Sequence, residues 1–339
     1  MRRSLYFTAP REVEVMEERV PEPKGGEVLV RSLFSAISAG TEMLLYRGQV
    51  EQGTRLDTTI RSLGGTFAHP FKYGYATVGE VVAAGEGVAC AWVGRRVFCF
   101  HSHESEFTVP VSEAVAVPPG VSDEDALFLP SMETALSLVM DGAPLVGENV
   151  VVLGQGVIGL LTTSLLARMP LSALVTADRY PLRRERSMEM GADRCLDPAI
   201  DARQFLGSSG LDEIRADLVY ELSGEPAALE YATHLAGMEG RIVVGSWYGN
   251  KEMRTCLGDD FHRNRLRIIS SQVSRIDGSL SGRWSKSRRL GVAWKMIALA
   301  RPSRLVSHRF KIADAASAYR LLDENGREVV QVVLDYPEE

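Results

Sequence analysis

The sequence predicts an α/β chain in two parts, a β-rich lobe and a domain built on a doubly wound parallel sheet. Three observations carry that expectation. Apolar, strand-like runs recur at 149–153, 174–177, 217–222, 241–245 and 267–271, separated by longer helical stretches. Strands at that spacing call for crossover helices on both faces of a parallel sheet. A glycine signature, GQGVIG, follows the first of these runs. The residues before 122 read instead as short β segments punctuated by glycine.

Taken in order, strands are expected at 27–32 (EVLVRS), 79–84 (GEVVAA), 96–100 (RVFCF), 107–110 and 114–117. The grammar changes at Ser122, where Asp123, Glu124 and Asp125 follow as the acidic first turn of a helix should, and a helical pattern continues to 140. The five βα-spaced strands come next. Beyond 271 lie a Gly/Ser loop and the basic run RWSKSRR at 283–289, read as the solvated first turn of a helix over 290–300. The β-type tail EVVQVVLD at 328–335 matches the first lobe in character. The expected division is therefore 1–122 with 272–339 for the lobe, and 123–271 for the parallel-sheet domain.

With 339 residues, 45% hydrophobic and 24% charged, the chain is expected to bury a sizeable core in two domains. Its 38 basic and 44 acidic residues give a net charge of −6, which argues against the phosphate neutralisation that nucleic-acid binding needs. No run approaches the ~18 apolar residues of a membrane span and the N-terminus lacks a signal-like stretch, so a cytoplasmic protein with no membrane partner is expected. Cys90, Cys99, Cys195 and Cys256 are scattered, without the close pairs of a disulfide framework or a cysteine zinc site.

Gly154, Gly156 and Gly159 form G-x-G-x-x-G between a strand and a helix, with Val157 and Ile158 inside the motif. The first glycine permits the tight turn, the second lets backbone approach a pyrophosphate, and the third allows close helix–strand packing. The next strand ends in Asp178, about 20 residues on, where an acid accepts hydrogen bonds from the ribose hydroxyls of NAD and repels the 2′-phosphate of NADP. Arg179, Arg183 and Arg184 follow it and are suited to clamp that phosphate, so NAD is expected and NADP is its rival. Ser223-Gly224 and Gly245-Ser246 place small residues at the carboxyl ends of two later strands, where such sheets bind ligands.

The order of these motifs resembles the medium-chain dehydrogenase/reductase superfamily, the zinc-type alcohol dehydrogenase relatives, over essentially the whole chain. Ala39-Gly40-Thr41-Glu42 resembles the family's Cys-Gly-Thr-Asp, and Gly74-Tyr75-Ala76-Thr77-Val78-Gly79 its Gly-His-Glu-x-x-Gly. The fingerprint at Gly154 and the late stretch RFKIADAASAYRLL at 309–322 match as well. The phrases SAISAGTE and GYATVGEV are similar to those of the bacteriochlorophyllide 3-hydroxyethyl dehydrogenase group. The resemblance implies a GroES-like lobe, an inserted Rossmann domain to which the C-terminus does not belong, a homodimer, and hydride transfer between nicotinamide and a small alcohol/carbonyl substrate.

The departures from that pattern are chemical. The positions of the family's catalytic zinc ligands hold Ala39, Tyr75 and Pro130, none of them a normal zinc ligand. The four-cysteine structural loop is missing too, so neither zinc is expected. A zinc-free relative needs another donor for the developing alkoxide. Tyr75 heads the candidates, with Thr41 at the family's proton-relay position, and Glu133 and His103 behind them. Each has a structural alternative: a packed tyrosine, a helix cap, a helix-face carboxylate, a satisfied histidine. His101 and His103, two apart on an expected strand, face the same side and with Glu104 suggest a metal corner, yet two histidines are too few for a metal site. Glu42 is read as capping or pairing at a helix start. Rival functions are reduction of an activated C=C bond and cofactor sensing without turnover.

Overall fold

The structure, a computed structural model, describes residues 1–211 and 214–337. Two compact units emerge, Met1–Pro130 with Ile297–Glu339, and Ser131–Met296.

In the first unit, β1 (Arg2–Ala9) and β2 (Glu12–Glu18) pair as an antiparallel hairpin. β3 (Glu27–Ile37) follows, and its alternation points Val28, Val30 and Ser32 into the protein. Next come α1 (Ala39–Tyr46), β4 (Thr77–Ala84), β5 (Arg96–Cys99), β6 (Glu106–Pro110) and β7 (Val115–Ala116). The expected helix after Ser122 forms in two pieces, α2 (Asp123–Ala126) and α3 (Leu129–Gly142), and the Ser122 hydroxyl caps the first by accepting the Asp125 N–H at 3.1 Å.

The second unit carries β8 (Asn149–Leu153), α4 (Val157–Leu166), β9 (Ala173–Ala177), α5 (Pro181–Glu189), β10 (Arg194–Leu196), α6 (Ala202–Ser209), β11 (Ala216–Glu221), α7 (Ala227–Leu235), β12 (Ala236–Val244), α8 (Asp260–Arg263) and β13 (Arg267–Ser270). Its strands form one sheet in the order β10-β9-β8-β11-β12-β13, every pairing parallel. β8 is buried along its whole length, as a central strand covered on both faces should be. α9 (Lys286–Ala300) then leads back into the first unit, which closes with β14 (Val306–Lys311), α10 (Ala315–Glu324) and β15 (Gln331–Asp335). β15 lies between β14 and β3 in a sheet ordered β14-β15-β3-β4-β5-β7, so the C-terminal tail does rejoin the lobe.

The basic run that leads into α9 and forms its first turn corrects one expectation. It is not a uniformly solvated turn: Arg289 is only 1% exposed. Its guanidinium donates to Glu133 and Ser137 on α3 and to the backbone carbonyl of Val273 at 2.6 Å. A planar group with five N–H donors can serve a carboxylate and irregular backbone at once, which offsets the cost of removing it from water.

Candidate functional site

The glycine loop sits where the order of the parallel sheet reverses. β8 and β11 are neighbours there, and the crevice beyond their carboxyl ends is where such sheets take ligands. Gly154 has φ +91°, and a Cβ on it would lie 2.6 Å from the Ser223 Cα, so the loops after β8 and β11 touch through this glycine. A Cβ on Gly159 would lie 1.9 Å from the Gly154 carbonyl oxygen, the close packing foreseen for the third glycine. Around Gly156 nothing among the described residues lies within 4 Å of the same position, so backbone is open to a ligand. Gly156 is also the N-cap of α4 and brings no capping side chain. The first N–H groups of that helix, among them those of Val157 and Ile158, therefore point toward the opening with the positive end of the helix dipole.

Asp178 is buried beside this loop. Its Oδ2 accepts the Gln155 N–H and its Oδ1 the Tyr180 N–H, both at 2.8 Å, so the carboxylate braces the glycine turn. Arg179 and Arg183 place guanidinium carbons 4.8 and 5.0 Å from the Tyr180 ring centre, and Arg184 donates to the Asp178 carbonyl and to Asp197. Burial pushes the Arg183 guanidinium below its ordinary value, with the Asp178 charge opposing.

Ser223 and Gly224 follow β11. The Ser223 N–H donates to Glu221 Oε1 at 2.8 Å, and the Tyr248 hydroxyl donates to Glu221 Oε2. Glu221 is fully buried and was not singled out from the sequence, although a carboxylate inside the apolar run DLVYEL was the available signal. At Gly245 a Cβ would come within 2.6 Å of Leu138 and Leu222 methyls, so the backbone packs closely on these two side chains there. Glu133 accepts from Arg289 in this unit.

In the first unit the structure brings Tyr75 and Thr41 together. The Tyr75 hydroxyl donates to Thr41 Oγ1 at 3.3 Å and shares a short hydrogen bond with Ser38 Oγ. Burial pushes the phenol above its ordinary value, and the Ser38 and Thr41 hydrogen bonds offset part of that rise. Ser38 was missed in the sequence, because a serine before a helix reads as a cap. Here it is the N-cap of α1, yet its hydroxyl makes no cap bond. His103 is fully buried, with Nε2 3.1 Å from Glu42 Oε2 and Nδ1 2.7 Å from Ser35 Oγ. Glu42 receives the Ser38 N–H on Oε1, so it does pair at the helix start. His101 stacks on Phe107 and makes no pair with His103. Among the described residues, no group of three or more His, Cys, Asp or Glu side chains is arranged to hold a metal ion, and no helix is long and apolar enough to cross a membrane.

No protein-family model matches the chain. Among curated proteins it is similar to the starvation-sensing protein RspB of Escherichia coli K12, at 24% identity over 99% of this chain and 100% of that protein. It is also similar to the D-guloside 3-dehydrogenase of the same organism, at 26% identity over 87% and 88%. Among solved structures, an E. coli CFT073 alcohol dehydrogenase (rspB) complexed with NADH superposes with a TM-score of 0.79 at 22% identity, covering 99% of both chains. A Sinorhizobium meliloti 1021 putative zinc-binding dehydrogenase bound to NADP gives the same score, identity and coverage. The homologues of this chain are thus zinc-type alcohol dehydrogenase-like proteins, and its fold is that of the medium-chain dehydrogenases, a GroES-like lobe with a Rossmann domain.

Proposed function

We propose that the chain is a nicotinamide-dependent oxidoreductase that interconverts a small alcohol and its carbonyl compound without zinc. The observation that carries this reading is the open backbone at Gly156, set over the N-terminus of α4 and braced by Asp178. Uncapped N–H groups and a helix dipole suit a pyrophosphate, and a buried acid at the end of β9 suits an unphosphorylated ribose, so NAD is the preferred cofactor. A bound nicotinamide supplies or accepts the hydride.

The chain's own residues then have to manage the proton. Ala39 and Pro130 carry no donor atom for a metal, and the Tyr75 hydroxyl is engaged with Ser38 and Thr41, so this set does not fit a catalytic zinc. A phenol that burial keeps protonated is instead a hydrogen-bond donor, able to stabilise negative charge developing on a carbonyl oxygen. To act, the phenol turns its one proton from Thr41 to the substrate oxygen, and the half-buried Ser38 and Thr41 orient it and relay a replacement proton from solvent. For assembly, β13 is an edge strand with no further strand beside it among the described residues, and it leaves Ile268 39% exposed, which supports a homodimer.

Turnover assays test the reading. NADH consumption with ketones or aldehydes, unaffected by chelator in protein free of stoichiometric zinc, is the expected result. Consumption with enones or quinones alone would transfer the chain to C=C reduction. Saturable NADH binding without turnover on any carbonyl compound would make it a sensor, and one tightly held zinc per chain would sink zinc independence.

A further inference from the structure

The buried polar groups behind Tyr75 form a closed circuit. Glu42, His103, Ser35 and Tyr319 are fully buried, although their chain positions span nearly the whole lobe. The Tyr319 hydroxyl donates to Glu42 Oε2, which also faces His103 Nε2, while Oε1 takes the Ser38 N–H at 2.7 Å. On the far side of the imidazole, Ser35 Oγ lies 2.7 Å from His103 Nδ1 and 2.8 Å from the Tyr336 hydroxyl. One assignment of protons satisfies every member: Tyr336 donates to Ser35, Ser35 to Nδ1, and Nε2–H to the carboxylate. His103 also packs on the residue before the phenol, since a Cβ on Gly74 (φ +121°) would fall 2.7 Å from Nε2. The path from Tyr75 through Ser38, Glu42, His103 and Gly74 therefore returns to Tyr75.

Two features of this circuit have no stability rationale. A buried carboxylate with its donors is often no better than an apolar cluster of the same shape. An N-cap serine whose hydroxyl does not cap forgoes about 1 kcal/mol of helix stability. Both make sense if the circuit holds the phenol.

We propose that Glu42 is a positioning residue for Tyr75: anchored by donors from His103 and α10, its carboxylate fixes the Ser38 backbone and so directs the Ser38 hydroxyl onto the phenol. This rests on the reading of Tyr75 as the proton-handling group. The negative charge of Glu42 also pushes the phenol upward, which keeps it a donor.

A double-mutant cycle tests it. Glu42→Gln keeps the shape but cannot accept from Ser38, Tyr319 and His103 together. In the wild-type background kcat for carbonyl reduction should fall about tenfold with the NADH Kd unchanged. In a Tyr75→Phe background the same substitution should change kcat by less than about twofold, because the two act as one unit. Equal losses in both backgrounds would overturn the proposal. Should Glu42→Gln not fold, Tyr319→Phe, which removes one donor, takes its place with a smaller loss and the same dependence on Tyr75.

A second arm needs no turnover. In protein labelled with ¹³Cζ-tyrosine, the Tyr75 signal is the one missing from Tyr75→Phe. The groups facing that phenol are Ser38, Thr41 and Glu42, the Tyr73 ring 6.0 Å away, and the more distant charge of Asp57. Only Glu42 changes in Glu42→Gln, so the signal should move and its ionisation shift to lower pH. An unmoved signal would overturn the positioning role. A moved signal in a protein that turns over no carbonyl compound would uphold it and remove the catalytic reading instead.

Discussion

Arg289 closes on Glu133 with both Nε, at 3.2 Å, and Nη2, at 2.8 Å, directed to the same carboxylate oxygen. The same guanidinium reaches Ser137 Oγ at 2.7 Å and the Val273 carbonyl, so one side chain ties α3 to α9 and to the segment after β13. The pair is buried, which makes it expensive to break and less valuable than its geometry suggests. Arg289→Met alone leaves the Glu133 charge stranded and should cost about 3–5 kcal/mol in denaturant unfolding. Adding Glu133→Leu should recover a large part of that loss. If the double variant is no more stable than the single one, the stranded charge is not the source of the cost.

His101 supplies a pH dependence. It is buried against Phe107 with ring centres 3.8 Å apart, and burial pushes its imidazole down from 6.5 to about 4; the Glu104 charge opposes the shift, while Lys72 and Arg2 add to it. The unfolded chain thus takes up a proton that the folded chain refuses. Stability from this group is complete above about pH 6.5 and is lost as pH falls toward about 4, at ~1.4 kcal/mol per unit or ~3 kcal/mol in all. Urea midpoints measured between pH 4 and 7 should show this slope in the wild type and a flatter one in His101→Phe, which keeps the stacking. Parallel slopes in the two proteins would assign the dependence to other groups.

What the sequence revealed divides along physical lines. The run NVVVL was legible as a strand because β8 is buried on both faces and carries no polar interruption. The glycine loop was legible because each glycine answers a local steric demand. The β1–β2 hairpin was not among the expected strands: Glu12-Val13-Glu14-Val15 does alternate with period 2, but the alternation ends after four residues, at Met16-Glu17-Glu18. The circuit behind Tyr75 was beyond reach for another reason. Glu42 and Tyr319 are 277 residues apart, and only the return of β15 and α10 to the lobe brings them together. The burial of Arg289 is not legible in the sequence because a charge run gives no sign of which member a helix face turns inward.

Asp178 should affect both cofactor choice and cofactor affinity. Its two oxygens accept the Gln155 and Tyr180 N–H groups, so Asp178→Ala frees the glycine turn while also removing the charge that repels a 2′-phosphate. Fluorescence titration should show NADH binding weakened about tenfold or more, the scale of one lost charge-assisted hydrogen bond. NADPH binding should weaken less, because Arg179 and Arg183 gain access to its phosphate. A wild type that already prefers NADPH would show that the arginines outweigh the acid.

Tyr75→Phe isolates the proposed donor. The substitution keeps the ring and its edge contact with Tyr73, so packing is conserved. It removes only the hydroxyl shared with Ser38 and donated to Thr41, and those two residues are half-buried, so the loss of stability should be about 1 kcal/mol or less. Loss of one preorganised donor to a developing oxyanion typically lowers turnover ~10²–10³-fold. The expected result is therefore a fall in kcat of that order with an NADH Kd close to that of the wild type, since the glycine loop and Asp178 are untouched. The wild type should also keep its carbonyl-reduction rate until above about pH 10, because burial raises the phenol beyond the ordinary tyrosine value and a donor works only while protonated. Full activity in Tyr75→Phe would make Tyr75 a packing residue and direct the search to His103, whose imidazole Glu42 and Ser35 hold, or to Glu133, which would first have to leave Arg289.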